Sequence, residues 1–136
     1  GFNGLVSSGA TVTVVSSIIA NNSEKNCTGT NANWTSQGYN LSSDTTCAFV
    51  QASDLQPIDP LFAPLANYGG ATPTHALLPG SPAIDTGSNG QCPATDQRLV
   101  DRPFDGDGNG VAVCDRGAFE ARGQIVISDR TVTEGN

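Results

Sequence analysis

The feature that most restricts this chain is a run of short β-prone segments at a nearly constant interval, with turn residues between them and no helical periodicity. The first, Thr11 to Ala20, alternates and is rich in β-branched side chains, so it reads as one or two short strands meeting at a corner. Asn21-Asn22 ends it. Gly38-Tyr39-Asn40-Leu41 follows roughly 21 residues later, and Asp59-Pro60-Leu61-Phe62 roughly 21 beyond that. Such spacing predicts a solenoid, in which each coil buries its inward side chains only by stacking on the next, with Ile19, Leu41 and Leu61 in one inward stack. His75-Ala76-Leu77-Leu78 and Ala83-Ile84-Asp85, divided by the turn Pro79-Gly80-Ser81-Pro82, read as a terminal, shortened coil. Only about three coils are present, the least that makes a repeat array stable, so the N-terminal edge is expected to continue a longer stack.

Composition narrows the function. With 16 Gly and 8 Pro in 136 residues, the core must be thin and much of the backbone must turn. The formal charge is −7 with six Lys plus Arg, and no basic stripe exists to neutralise phosphates, which sets nucleic-acid binding aside. No run approaches the roughly 18 to 20 apolar residues of a membrane span, so this segment is not expected to insert in a membrane. Gly-Phe-Asn-Gly at the start is not a signal peptide, so any export signal is expected to lie elsewhere.

Cys27, Cys47, Cys92 and Cys114 sit in Asn/Gly/Ser-rich stretches without the paired spacing or the histidines of a zinc site. Disulfides are expected. Three pairings are possible, and the sequential one, Cys27–Cys47 with Cys92–Cys114, closes two loops of roughly 20 residues, each contributing about 3 kcal/mol by the loop-entropy relation. Such bonds persist only in an oxidising compartment, which predicts an extracellular or cell-surface location.

Three segments follow: 1–87 as coils, 88–120 as a stapled acidic loop and cap, and 121–136 as a linker and the first strand of a further module. In the second, Asp105-Gly106-Asp107-Gly108-Asn109-Gly110-Val111 sets oxygens at alternate positions, and the glycines let the backbone curl until those oxygens converge on a hard cation. Calcium is the expected occupant, with Asp105, Asp107, Asn109, the Val111 carbonyl and Asp115 as its ligands. The full EF-hand pattern is absent, because the position that would carry its bidentate Glu is Arg116; Asp115, Asp101 or Glu120 is expected to supply that carboxylate instead.

Several ordered motifs carry a family resemblance. These are Ser17-Ile18-Ile19-Ala20-Asn21-Asn22, Gly38-Tyr39-Asn40-Leu41-Ser42-Ser43 and Asp59-Pro60-Leu61, then the run from Gly69 to Gly87, Asp96-Gln97-Arg98, Arg102-Pro103 and Asp115-Arg116-Gly117-Ala118-Phe119-Glu120. Over about residues 10 to 120 the chain resembles the choice-of-anchor Q family of bacterial surface proteins. That resemblance implies the C-terminal end of a right-handed parallel β-helix, anchored at a cell surface, and implies no reaction. Ile125 to Asn136 resembles the opening strand of a Calx-β domain.

The expected fold is therefore all-β: terminal coils of a right-handed parallel β-helix, a long disulfide-stapled Gly/Asp loop and a C-terminal strand. The expected function is non-catalytic, a structural or adhesive module. Asp44, Asp54, Asp59 and Asp85 are scattered at turns rather than clustered as sugar-cleaving β-helices require, and His75 has no nucleophile to pair with, which favours a structural hydrogen bond. The non-catalytic end of a polysaccharide-processing β-helix enzyme is one alternative. Trp34, Tyr39, Phe49 and Tyr68 would stack coils or anchor loops, although they also suit a surface glycan; a surface protein is the other partner class. The β-branched tail Gln124 to Thr133 has no evident strand partner, which makes strand donation into a homopolymer, a fibre, a further alternative.

Overall fold

The computed structural model describes residues 4–29 and 33–123. The described chain is all strand, turn and loop, without a helix, and so without any helix long and apolar enough to cross a membrane. Six short strands come first: β1 (Leu5–Val6), β2 (Thr11–Val14), β3 (Ile18–Ile19), β4 (Cys27–Thr28), β5 (Asn33–Ser36) and β6 (Leu41–Ser42). Each of the first three pairs in parallel with the strand three places on, Leu5 with Cys27, Thr11 with Asn33 and Ile18 with Leu41, offsets of 22, 22 and 23 residues. The corner expected between β2 and β3 is made at Ser16, whose φ is 43°. Asn21, with φ 58°, ends β3 as expected.

The next parallel link is shorter. Leu41 bridges in parallel to Leu55, only 14 residues on. The expected stack of Ile19, Leu41 and Leu61 does not form: Ile18 faces Leu41, Ile19 faces Ser42, and Leu61 is 38% exposed with φ 51°. The segment expected as a terminal coil also runs differently, because residues 62–77 double back in antiparallel bridges, Phe62 with Leu77 and Ala66 with Thr74. Gly69, with φ 101°, lets the chain reverse there, and a reversal places the returning segment beside the outgoing one instead of one rung further on. The turn at Pro79-Gly80 forms as read from the sequence.

Two small apolar clusters make the core, as a thin-cored chain requires. One gathers Val14, Ile19, Cys27, Cys47 and Phe49; the other gathers Leu41, Leu77 and Ala83, with Ile18, Leu55, Phe62, Ile84 and Phe119 packed on it. Polar side chains fill the gaps between the paired strands. Asn40, fully buried, donates through Nδ2 to the Val14 carbonyl at 3.1 Å and to Ser36 Oγ at 2.9 Å, and its Oδ1 accepts from the Ser17 amide. Asn26 donates to Ser42 Oγ and Ser43 Oγ, both at 2.9 Å. Asp44 and Asp54 accept from the amides of Asn26 and Asn40, which ties each rung to the next through side chains as well as backbone.

Both disulfides adopt the sequential pairing, Cys27–Cys47 and Cys92–Cys114. The first lies within the apolar cluster of the first two rungs. The second closes the stretch that carries the antiparallel bridges Thr95–Asp101 and Phe104–Val113. The segment expected as a further strand, Gln124 to Thr133, lies outside the described residues.

Candidate functional site

Charged side chains collect in two places, one inside and one at the surface. The inner group belongs to Asp115-Arg116-Gly117-Ala118-Phe119-Glu120, which folds back over the rungs. Arg116, 5% exposed, donates through one terminal nitrogen to the Asn40 carbonyl at 2.9 Å and the Ser53 carbonyl at 2.8 Å, and through Nε to Thr86 Oγ1. Burial lowers its pKa, opposed by the Asp54 charge. The Arg116 amide donates to Ala83 and the Gly117 amide to Ser16, at 2.9 and 2.8 Å. Gly117 has φ 85°, and a Cβ there would sit 3.0 Å from Ile18 Cδ1, so the segment approaches β3 as closely as only glycine permits.

Three buried carboxylates gather here, two from this segment and one, Asp96, from outside it. Asp115, 1% exposed, accepts from the Asp85 and Ala121 amides, and Glu120, fully buried, accepts from the Phe104 and Asp115 amides. Asp96 accepts from the Glu120 amide and from two nitrogens of Arg98, while Arg98 also lies 3.5 Å above the Phe119 ring. Arg102 Nε is 2.9 Å from Glu120 Oε2 but lacks the alignment of a hydrogen bond, so the contact is an ion pair in which Nε itself has no acceptor. Burial pushes the Asp115 carboxyl up to about 7, with Glu120 and Asp85 adding repulsion to it. Burial also raises Glu120, against which Arg102 and two amides pull down. At Asp96 the amides and Arg98 outweigh burial and lower the pKa. These groups are committed to backbone amides and to one another.

The surface group is acidic. Asp85, Asp105 and Asp107 each place one carboxylate oxygen within 4.8 Å of the others. Three carboxylate oxygens gathered this closely could hold a metal ion among them. Asp105 is held by the amides of Gly108, Asn109 and Gly110, and Asp107 by the Asn109 amide and Nδ2. Asp85 Oδ2 accepts from the Asp107 amide, while its Oδ1 is buried and has no hydrogen-bond partner. Burial raises the Asp85 pKa and the Asp107 and Asp105 charges add to it, against the Asp107 and Gly106 amides, which pull it down. An orphaned oxygen among mutually repelling carboxylates fits a cation.

Of the ligands read from the sequence, Asp105 and Asp107 lie side by side. Asn109 Oδ1 accepts from the Val111 amide, and Val111 is 60% exposed. Asp115 is not among the three gathered carboxylates; it turns inward to the Asp85 and Ala121 amides. Glu120 is likewise committed inside, and Asp101 bridges Thr95. The third carboxylate is Asp85, which reaches the loop because Gly87 bonds to the Cys114 carbonyl at 2.8 Å and Asp85 to Asp115 at 2.8 Å. A Cβ at Gly87 would meet that Cys114 oxygen at 2.6 Å. The sequence shows Asp85 only as an acidic residue before a Thr-Gly turn, and nothing local marks it as a partner of a loop 20 residues on.

His75 makes the structural bond expected of it, Nδ1 to the Ala63 carbonyl at 2.8 Å, and stacks on Phe62 with ring centres 5.1 Å apart. The other aromatics are also engaged in the fold: Phe49 is in the core, Trp34 packs against it, Tyr68 donates to the Pro64 carbonyl and Tyr39 lies under Arg116. Comparisons with models of protein families, with curated proteins and with solved structures give no match.

Proposed function

We propose that this chain is a non-catalytic structural module of an exported surface protein, built as the terminal rungs of a right-handed parallel β-helix and stabilised by two disulfides and calcium. The observation that supports this reading is the repeated parallel pairing at offsets of 22, 22 and 23 residues, the spacing that stacked coils would give. Two features support it. The Asp115 to Glu120 segment spends its charged groups on tying distant parts of the chain together, as in a cap. The disulfides favour an oxidising compartment outside the cytoplasm. The resemblance to choice-of-anchor Q proteins points the same way and favours attachment to a cell surface, where the module acts as a spacer or an adhesive end.

Calcium is proposed at Asp85, Asp105 and Asp107. The ion would neutralise their repulsion and join the turn bearing Asp85 to the stapled loop, a purely structural contribution. The test is thermal unfolding of the oxidised protein with calcium and with excess chelator. Calcium at a hundred times its dissociation constant stabilises by about 2.7 kcal/mol, readily visible in the melting temperature. Equal melting curves would remove calcium from the reading, and loss of the folded state in reductant alone would leave the disulfides as its main support.

A further inference from the structure

The two disulfides stand in different surroundings. Cys27 and Cys47 are 2% and 0% exposed and lie in the apolar cluster with Val14, Ile19 and Phe49. Cys114 is also fully buried, but Cys92 is partly exposed, sits between exposed Gln91 and Pro93, and lines a surface groove of about 470 Å³. Exchange with an external thiol begins when a thiolate reaches one sulfur of the bond, so access decides which of two disulfides opens first. Of the four cysteines, only Cys92 is open to solvent.

The stretch between Cys92 and Cys114 divides in two by how it is held. Residues 94–104 have strong ties of their own: the Glu120 amide donates to Asp96, the Arg98 guanidinium to the Glu120 carbonyl, and the Phe104 amide to Glu120 Oε1. Residues 105–113 form a glycine-rich arm with weaker ones. The Phe104–Val113 bridge closes its base. Beyond it the Asp107 amide donates to Asp85 Oδ2, and Asn89 Nδ2 donates to the Ala112 carbonyl, both at the exposed surface, where water competes for them. The bonds from the amides of residues 108–111 to Asp105, Asp107 and Asn109 order the arm internally without attaching it. Its end is fixed at Cys114, whose amide donates to Asn89 Oδ1 and whose carbonyl accepts from the Gly87 amide, both at 2.8 Å. The bond to Cys92 clamps that junction.

We propose that Cys92–Cys114 is a redox-sensitive latch on this arm, opened by a dithiol reductant while Cys27–Cys47 stays closed. One thiolate of the dithiol attacks Cys92 Sγ, the S–S bond breaks, and Cys114 Sγ leaves with the electron pair and takes up a proton. The second thiol then displaces Cys92 Sγ, which is protonated in turn, and the reductant departs as its own disulfide. Two electrons and two protons pass from the dithiol to the protein. With the latch open, the arm parts from the turn bearing Asp85, and the sealed Cys27–Cys47 bond keeps the paired strands joined. The latch works with or without a cation at Asp85, Asp105 and Asp107.

The test treats the oxidised full chain, in chelator, with dithiothreitol. Free thiols are trapped over time with N-ethylmaleimide and located by peptide mass spectrometry, and amide hydrogen exchange is followed in the same samples. Cys92 and Cys114 should be trapped together, at least about tenfold faster than Cys27 and Cys47. Once they are reduced, the amides of Asp107 and Cys114 should exchange at least about tenfold faster than in the oxidised protein, while those of Leu41 and Leu55, bonded between parallel segments, should exchange as before. Equal trapping rates at the two bonds, or earlier trapping of Cys27 and Cys47, would overturn the proposal. So would selective reduction that leaves the Asp107 and Cys114 amides unchanged, because the bond would then hold nothing. Selective reduction that also strips protection from Leu41 and Leu55 would overturn it as well, by making the bond a support of the whole fold.

Discussion

Replacing Arg116 with methionine isolates what the closing segment contributes. The methionine keeps much of the apolar stem and deletes the guanidinium. The Ser53 carbonyl then loses the one partner it has in the described structure, while the Asn40 carbonyl keeps the Leu55 amide as its other donor. Leaving one part-buried carbonyl unpaired costs about 1 to 3 kcal/mol, and the loss of a charge-assisted bond at the second adds about 1 kcal/mol. Relief of the Arg116 desolvation offsets part of this, so the expected destabilisation is about 2 to 3 kcal/mol. At about 3 to 4 °C per kcal/mol for a chain of this size, the melting temperature should fall by roughly 6 to 12 °C. The two carbonyls lie 76 and 63 positions away along the chain, so the loss should appear as lower global stability, not local fraying. Urea unfolding read by circular dichroism gives the midpoint and slope together. Arg116→Lys should fall between the two proteins, because one ammonium cannot span all three acceptors. A drop below about 0.5 kcal/mol for Arg116→Met would refute the view that this side chain ties the closing segment to the rungs.

Three further outcomes follow from the same contacts. Replacing both Cys27 and Cys47 with alanine opens a 20-residue loop and should cost about 3 kcal/mol by urea titration; an unchanged midpoint would mean that the rung contacts already confine the unfolded chain. In chelator, stability should fall as pH rises from about 4 towards 7. Asp115 at about 7, with Glu120 and Asp85 also raised, keeps its proton in the folded state after the unfolded chain has released its own. Asp96, lowered in the fold, acts oppositely: its stabilisation is complete above about pH 4 and is lost as pH falls through its folded value, and a profile flat between 4 and 7 would contradict this assignment. Asp85→Asn should remove most of any calcium-dependent rise in melting temperature, and a full rise in that variant would place the ion elsewhere.

The sequence carries the local chemistry of this fold more clearly than its long-range joins. The β-branched alternation at Thr11–Ala20 and the Pro-Gly turn at residues 79–80 are visible because neighbouring residues decide them. The sequential cysteine pairing was the option with the shortest loops, and it is the one that forms. An interval of about 21 residues is visible too, close to the offsets of the parallel strand pairs, but their register is not. β1 and β4 are two residues long and leave almost no periodic signal, and Leu61 looks inward until the reversal at Gly69 turns its segment back. The acidic loop announces two carboxylates, whereas the third, Asp85, depends on hydrogen bonds to Cys114 and Asp115. Asp115 itself reads as a loop ligand because it follows the Gly/Asp run. Its burial is set by the bend at residues 116–118, which brings the Ala121 amide onto it, and pattern does not reveal that.

Amide hydrogen exchange followed by NMR tests most directly whether the rungs and their closing segment form one structural unit. The amides of Leu41 and Leu55, bonded between rungs, and those of Arg116, Gly117, Glu120 and Ala121, bonded by the closing segment, should exchange together, with a free energy matching global unfolding. Fast exchange of the 116–121 amides beside slow exchange at Leu41 and Leu55 would contradict it, showing a segment that opens on its own and whose buried carboxylates are free to meet a ligand or a substrate.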